Sequence, residues 1–366
     1  MITASGAEIA KAISKIIKIA PSATEAIFIN AVSKKRIAVR GYHDNRYVTF
    51  LIDAVCEKPI SFICAGDRLR AICDKRGDMT FTKSNKAITY KETGKSYAGT
   101  LEMSEIDVEF PKTELDNDNQ LSDVLKSALI TLSDKALLKS IYENRELFFF
   151  VKITRTLAVV AAGDRFHMAY CTAVGTKSKN DIEFVIPISY WMIVKNTFDI
   201  AKQAVSIKST NNQVHIYNDD AIVTLPVMAV GDEDASLAII EKAVTSDRKK
   251  LFEGQIDIDS VARVVTNMEA IKEKDRGLEV KFKAKNGLFQ MTSETRHGAM
   301  KESIAVKTKS TKSATITLEA SILQDILSKI SGDVVLTIFE GSICRLEKDL
   351  SKEKSQIQYI LLGLTT

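Results

Sequence analysis

The residues of this sequence that could do chemistry are four histidines, five cysteines, one Gly-Lys-Ser segment and one acidic run. None of the histidines belongs to an HExxH motif or stands at ligand spacing from a cysteine, so they predict no metal site. The number of cysteines is odd and no CxxC pair occurs, which favours reduced, buried thiols over a disulfide framework or a zinc site. The histidines are His43, His167, His215 and His297.

A phosphate-binding loop is the nearest alternative, at Gly94-Lys95-Ser96. A P-loop needs a first glycine five residues before the second, where this sequence has Thr89, and the segment lies between strand patterns instead of before a helix. The acidic run Asp232-Glu233-Asp234 lacks further acids at matching spacing, and neither GxSxG nor GxGxxG occurs. The sequence therefore predicts a protein that is not an enzyme and that binds no metal and no cofactor.

A row of lysines is the more informative pattern. Lys11, Lys15 and Lys18 recur at i, i+4 and i+7, opposite an isoleucine stripe. This row is either a solvated helix face or a face that follows a nucleic-acid backbone without reading bases. No aromatic residues interleave, so contact with a duplex backbone is favoured over stacking on single strands. Further bases lie on the polar sides of the other predicted helices, at Arg68, Arg70, Lys75, Arg76, Lys126, Lys195, Lys202, Arg263 and Lys329.

The segment Tyr359 to Leu364 is strongly apolar and lies close to the end of the sequence. Chain ends are usually polar and frayed, so this composition needs a physical reason. Two interpretations are open. The segment is either a last strand buried in its own domain or an apolar surface left for a partner peptide.

The elements that would position these residues form a repeat. Apolar residues at i, i+3 and i+4 predict three amphipathic helices, and each is followed by strands, a second helix and more strands. The interval between equivalent helices is about 115 to 135 residues, the size of a domain. The first helix carries Ile9, Ile13, Ile16 and Ile17 on one face. The leading helices are predicted at Ser5 to Ala20, Leu121 to Leu132 and Asp257 to Met268, and the second helices at Gly66 to Asp74, Ile188 to Lys202 and Glu319 to Ile330.

This repeat predicts an α+β fold of three similar domains, each with two helices on antiparallel sheets. The predicted domains are 1–113, 114–246 and 247–366, with boundaries where polar and acidic residues cluster. Apolar residues make up 45% and charged residues 27% of the 366 residues, and the net charge is +4. With no apolar run long enough for a membrane span and no secretory signal pattern, we expect a cytoplasmic protein.

The whole chain resembles the bacterial-type DNA sliding clamp, the β subunit of the replicative polymerase and its processivity factor. Leu157 to Ala169 is similar to the strand and turn around the family's "ATDGHRLA", although Gly163, Phe166 and His167 stand where the turn differs. The family's tail "YVVMPM" is similar to Tyr359 to Leu364, with Gly363 in place of a proline. The resemblance also covers the opening helix, Ser5 to Ile17, and the last helix and strand, Glu319 to Ile330 and Val334 to Ile338. The departures and the basic charge are typical of a divergent member, such as one from a bacteriophage.

The resemblance implies a homodimeric ring that encircles double-stranded DNA without sequence preference, with the basic residues named above, Lys329 apart, facing the DNA. It also implies two kinds of protein partner, a DNA polymerase and a clamp loader. A peptide-binding pocket is implied at Leu147, Met168, Ile239, Ile240, Ile360, Leu362, Gly363 and Leu364. A dimer interface is implied at Tyr97, Leu101, Ile271 and Ile304, on the edge strands Tyr97 to Leu101 and Lys301 to Val306.

Two other functions are compatible with the same patterns. The chain could be a monomeric polymerase accessory factor that binds DNA by charge alone, or a clamp-like adaptor for transcription or repair proteins. The mass in solution separates the first alternative from a ring, and the proteins that co-purify separate the second.

Overall fold

The computed structural model describes residues 1–105, 108–111, 120–135, 147–163, 167–175, 178–210, 212–228, 248–274, 277–285, 287–310, 312–350 and 355–362. The chain forms two compact units. One comprises Met1–Leu121 with Met192–Val227, and the other comprises Ser122–Trp191 with Met228–Thr366. No described helix is both long and apolar enough to cross a membrane.

The order of elements repeats three times along the described chain, as a helix, four strands, a helix and three strands. The first repeat contains β1 Ile2–Ser5, α1 Gly6–Ile19, β2 Ile27–Ser33, β3 Arg36–His43, β4 Arg46–Cys56, β5 Ser61–Cys64, α2 Gly66–Cys73, β6 Asp78–Lys83, β7 Ala87–Glu92 and β8 Ala98–Glu102. The second contains α3 Asp123–Lys135, β9 Phe148–Ile153, β10 Leu157–Gly163, β11 His167–Val174, β12 Ile182–Pro187, α4 Ile188–Thr197, β13 Ser206–Ser209, β14 Gln213–Tyr217 and β15 Ala221–Pro226. The third contains β16 Lys250–Asp257, α5 Ile258–Met268, β17 Glu279–Lys285, β18 Leu288–Thr295, β19 Gly298–Ala305, β20 Ala314–Glu319, α6 Ala320–Leu327, β21 Asp333–Phe339, β22 Ile343–Leu350 and β23 Ser355–Leu362.

Helix α1 begins where the sequence predicts. The hydroxyl of Ser5 accepts a hydrogen bond from the Glu8 backbone N–H at 3.4 Å, which caps the helix. Ile9, Ile13 and Ile16 are fully buried, but Ile17 is half-exposed. At about 100° per residue, Ile17 lies on the margin of the stripe that the other three isoleucines define. Ile17 therefore marks the edge of the predicted apolar face.

The second helices of the second and third repeats are shorter than predicted. Helix α4 ends at Thr197 and α6 ends at Leu327. After α4 the backbone folds into a separate turn at Asp199, whose carbonyl accepts hydrogen bonds from the N–H groups of Lys202 and Gln203.

Antiparallel sheets join the repeats within each unit. In the first unit, β4 pairs with β15, the last strand of the second repeat. In the second unit, β11 pairs with β23, the last strand of the third repeat, inside an eight-stranded sheet. Strands β4 and β11 are equivalent, since each is the third of four strands after the leading helix. The third repeat adds a separate four-stranded sheet in the order β19-β18-β17-β20.

The core lies between these sheets and the helices. Helix α1 packs on α2 in the first unit, and α5 packs on α6 in the second. In the second unit the ring of Trp191 on α4 stacks on Phe149 of β9, with centroids 4.2 Å apart. All five cysteines are buried thiols, as the sequence predicts.

Candidate functional site

The predicted DNA-facing residues lie mostly on exposed helix surfaces. Lys11 and Lys18 on α1 are exposed, whereas Lys15 is half-buried, with its Nζ 5.4 Å from the centroid of the Phe50 ring. Helix α2 exposes two arginines. The residues Arg68, Arg70, Lys75, Lys195, Lys202 and Arg263 are all exposed.

Several of these bases have carboxylate partners. Lys202 lies 3.3 Å from Asp199, and Arg263 lies 3.8 Å from Glu302. Lys126 on α3 is 3.8 Å from Asp123, and its side chain is only 13% exposed. Exposed pairs of this kind are worth little energy and are easily exchanged for a phosphate. The half-buried Lys126 is the least available of them.

Arg76 is partly exposed and makes two contacts within the first unit. Its guanidinium lies 3.8 Å from the centroid of the Tyr97 ring, and its Nη1 is 3.5 Å from Oε2 of Glu92. The buried carboxylate of Glu92 also accepts hydrogen bonds from Nζ of Lys95 at 2.6 Å and from the N–H of Gly77 at 3.1 Å. Arg76 therefore belongs to a network of contacts beside β8, and its contact with DNA stays a prediction.

Two described residues of the predicted pocket, Met168 and Ile360, belong to an apolar cluster that spans β9 to β12 and β21 to β23. Met168 and Ile360 are directly opposed in neighbouring strands. Their exposed fractions are 1% and 3%, so both belong to the packed interior as it stands. Leu147, just before β9, is also buried. The cluster consists of Phe148, Phe150, Ala161, Met168, Tyr170, Val185, Phe339, Ile343 and Ile360, with Val159 and Met228 packed against it.

This cluster lies on the side of the sheet that faces away from α4. Successive side chains of a strand point to opposite faces. Phe149 contacts Trp191 of α4, so Phe148 and Phe150 point the other way. The cluster is therefore a buried apolar layer on the face of the sheet opposite α4.

The C-terminal segment forms a central strand up to Leu362. Strand β23 lies between β11 and β22, and Ile357, Tyr359 and Leu361 are buried. The interpretation of this segment as a buried strand therefore holds for its described part. Leu362 ends the strand opposite Ile343. Four predicted pocket residues, Ile239, Ile240, Gly363 and Leu364, lie outside the described residues.

The predicted interface residues lie at two sheet ends. Strand β8 ends the sheet of the first unit and β19 ends the four-stranded sheet, and no described strand pairs with the outer edge of either. Leu101 and Ile304 point into their own cores, with exposed fractions of 6% and 8%. Ile271 is half-exposed, and its carbonyl accepts a hydrogen bond from the hydroxyl of Thr295 just before β19. Tyr97 precedes β8 and donates a hydrogen bond to the carbonyl of Ile72 at 3.4 Å.

The two junctions between repeats share one register. Rows of directly opposed residues cross both large sheets, and each row ends two residues before the cap of a leading helix. In the second unit the row is Val185, Phe150, Ala161, Tyr170, Gln358, Glu347, Val335 and Gln255. In the first unit it is Ile63, Phe28, Arg40, Thr49, Ile222, Tyr217, Ser206 and Gln120.

The same row exists a third time as two separate halves. One half crosses the four-stranded sheet and stops at the edge of β19 with Lys301. The other starts two residues before the cap of α1 and stops at the edge of β8 with Ala98. The halves are Thr317, Lys281, Thr292 and Lys301, and Thr3, Thr80, Lys91 and Ala98. Sequence reasoning missed this register, because pairing between strands far apart in the chain leaves no local signal.

No protein-family model and no curated protein matches the sequence. The structure matches a putative DNA polymerase III β subunit from Eubacterium rectale with a TM-score of 0.77 at 15% identity, covering 100% of this chain and 99% of that one. It matches the DNA polymerase sliding clamp from Bacillus subtilis with a TM-score of 0.76 at 14% identity, covering 100% and 99%. It also matches the Helicobacter pylori β clamp bound to a DNA ligase peptide, with a TM-score of 0.71 at 13% identity, covering 100% of both chains.

These similarities span the complete chain, so all three repeats correspond to the clamp architecture. The chain has the DNA sliding-clamp fold, as the sequence predicts.

Proposed function

We propose that this protein is a DNA sliding clamp that closes into a ring around duplex DNA and tethers a polymerase to it. The observation that carries the proposal is the pair of unpaired sheet edges, β8 and β19, which bear the two halves of a row that is complete at both internal junctions. An exposed strand edge is a template for pairing with another chain. Two copies that pair β8 with β19 reciprocally cover both of these edges in each copy.

The register of this junction follows from the internal ones. Joining the two half-rows puts Ala98 of one copy opposite Lys301 of the other. Because the pairing is antiparallel, Thr100 then faces Ala299, and both of these residues are exposed in the single chain. Head-to-tail contacts of this kind generate a closed ring when the rotation between copies completes a circle.

Sequence-independent binding of DNA is supported by the exposed bases of the helices. Lys11, Lys18, Arg68 and Arg70 present charges without interleaved aromatic residues. Lysine and arginine contacts to phosphates hold a protein on DNA weakly and in a salt-dependent way, which permits sliding. A ring needs no stronger affinity, since its topology keeps it on the duplex. The lysine row of α1 acts mainly through Lys11 and Lys18, because Lys15 packs on Phe50.

Tethering is supported by the apolar cluster around Met168 and Ile360. The Helicobacter pylori clamp carries a DNA ligase peptide, and peptide partners of this kind are the ones we propose here, with a polymerase among them. The proposed anchors are leucine or aromatic side chains, which dominate binding energy in apolar grooves. A partner bound to the clamp is held near DNA at a high effective concentration. Because the partners share one site, they bind there one after another. A clamp loader is a further partner, since the proposed ring must be opened before closed or long DNA can enter it.

A pair of engineered cysteines tests the proposed junction. Opposed strand residues have Cα atoms about 4.5 to 5.5 Å apart, within disulfide range. Thr100→Cys combined with Ala299→Cys should therefore give covalent dimers under mild oxidation. The native cysteines are all buried, so the parent protein is a suitable blank.

The matched control shifts one cysteine along the same strand face. Thr100→Cys with Ser303→Cys separates the partners by four residues, about 13 Å along the strand, and should leave monomers on a denaturing gel. Equal cross-linking of both pairs, or of neither, contradicts the proposed register.

A further inference from the structure

The positive charge of this protein is concentrated in one stretch of sequence. Residues 279–313, which contain β17, β18 and β19, carry eight Lys and Arg residues and three Glu, a net charge of +5. The whole chain has a net charge of +4. The excess of base over acid is therefore a property of the four-stranded sheet region and not of the chain at large.

The lysines of β17 all point to one face. The strand reads Glu-Val-Lys-Phe-Lys-Ala-Lys, and its burial alternates from exposed to buried at every residue. Lys281, Lys283 and Lys285 are exposed, while Phe282 is buried against the core. Lysines two residues apart along a strand are about 7 Å from one another. We call this surface the lysine face; Lys281, Lys283 and Lys285 define it.

The neighbours of the lysine face are short polar side chains. Lys281 is opposed by Thr292 and Thr317, and Lys283 is opposed by Gln290 and Thr315. Within the described residues, no carboxylate forms an ion pair with any of the three lysines. The acids at the ends of these strands lie next to Lys281: Glu279 is two residues before it, Glu319 opposes Glu279, and Glu294 is two residues beyond Thr292.

Charge at these positions is not required by the fold. The equivalent positions in the second repeat carry Phe150 and Ala161, which belong to the apolar cluster, where the third repeat has Lys281 and Thr292. Three unpaired lysines side by side repel one another. A repulsive arrangement on a sheet that folds with apolar residues in the same places points to a ligand of opposite charge.

We propose that the lysine face binds the phosphate backbone of a nucleic-acid segment. Lysine, threonine, serine and glutamine are the side chains that contact phosphates without reading bases. The aromatic side chains of this sheet, Phe282 and Phe289, are buried on its other side, so bases have no stacking platform. A protein partner would need an apolar centre in the interface, and Leu288 at the margin is the only large exposed apolar side chain in the described part of this sheet.

This site is distinct from the helix surface proposed to face encircled DNA. The buried side of the four-stranded sheet packs towards α5 and α6, and the lysine face is the opposite side. A clamp with this feature would hold a second strand or duplex outside its ring. The inference does not rest on encirclement, because a monomer would present the same face.

Three variants of the full-length protein, each lacking three lysines, test the proposal. The face variant carries Lys281→Gln, Lys283→Gln and Lys285→Gln. A helix variant carries Lys11→Gln, Lys15→Gln and Lys18→Gln. A charge-matched control carries Lys34→Gln, Lys35→Gln and Lys58→Gln, at exposed positions of the first unit. Lys301 is left unchanged, since it lies beside the proposed junction.

The measurement is the salt dependence of binding to a short duplex and to an oligothymidine, by fluorescence anisotropy. If all three lysines contact phosphates, the face variant should lower the slope of log K against log salt by about 2.7 for duplex or about 2.1 for the single strand. A slope change that appears with only one of the two probes identifies the form that the face binds. The control variant should keep the parent slope.

Two results would overturn the proposal. An unchanged slope in the face variant for both probes excludes a phosphate ligand. A loss equal to that of the control would be an effect of net charge alone. Poly-glutamate is added as a further probe, and loss of its binding with DNA binding intact would reassign the face to an acidic protein. If the helix variant keeps the parent slope while the face variant lowers it, the result counts against the proposed DNA-facing helices and not against the lysine face.

Discussion

At the scale of single residues, the most informative group is the buried carboxylate of Glu92. The hydrogen bond from Lys95 lowers its pKa from the ordinary 4.5, and the N–H of Gly77 and the nearby Arg76 act in the same direction. This carboxylate holds the turn that leads into β8, and Arg76 in turn packs on Tyr97. Its charge therefore supports the strand that we propose closes the ring.

Glu92→Gln should lower the melting temperature at neutral pH and have a diminishing effect in acid. A carboxylate with a lowered folded-state pKa contributes stability above its unfolded pKa and loses that contribution as the pH falls through the folded pKa. The difference between parent and variant should therefore be constant from pH 6 to 8 and should shrink below about pH 4.5. Glu57→Gln, which removes an exposed carboxylate, is the control. A difference that persists unchanged at pH 3 would show that the charge of Glu92 is not what stabilises the fold.

At the scale of elements, truncations can separate the contribution of β23 to the stability of the sheet from the predicted role of the residues after it in peptide binding. The strand ends at Leu362, while Gly363 and Leu364 are predicted pocket residues beyond it. Removing residues 363–366 should leave the sheet intact and weaken the binding of a fluorescent peptide with leucine and phenylalanine anchors. Removing residues 359–366 takes away Tyr359, Ile360 and Leu361, whose buried side chains contribute about 1.5 to 3 kcal/mol each. That is a large share of a typical folding free energy.

The emission of Trp191 reports the thermal unfolding of both truncated proteins, because Trp191 is the single tryptophan and stacks in the core of the second unit. The longer truncation should melt well below the parent and the shorter one close to it. If the shorter truncation also unfolds the protein, residues 363–366 belong to the core. If it binds the peptide as the parent does, the peptide docks elsewhere.

Elements were predictable from the sequence to the extent that their signals are local. Apolar spacing located α1 and α5, and the cap at Ser5 fixed the start of the first helix. The alternation of lysines along β17 is also a local signal. The sheet was needed to show that these lysines lie on its exposed side. The contacts of Arg76 with Glu92 and Tyr97 join residues that the sequence alone does not bring together, and its contact with DNA stays a prediction. The junctions β4 with β15 and β11 with β23 are not local either, since their partners lie far apart in the chain.

At the scale of the whole molecule, three copies of one pattern meet at two internal junctions and leave a third junction open. The apolar cluster, the aromatic and arginine side chains around Phe28 and Arg40, and the lysine face occupy equivalent positions in the three repeats. One scaffold thus presents three different surfaces. Three different surfaces on one scaffold are what the proposed clamp would need to contact DNA and several proteins.

The most direct test of encirclement uses the cysteine pair Thr100→Cys and Ala299→Cys. The reduced protein is incubated at micromolar concentration with nicked circular plasmid, oxidised to lock the junctions, and passed over a sizing column in 1 M salt. Screening at that concentration removes contacts that depend on charge alone. A locked ring of about 81 kDa, twice the 40.5 kDa chain, should stay with the circular plasmid and be released once the plasmid is linearised. Equal release from circular and linear DNA, with the cross-link formed, would contradict a clamp that encircles DNA.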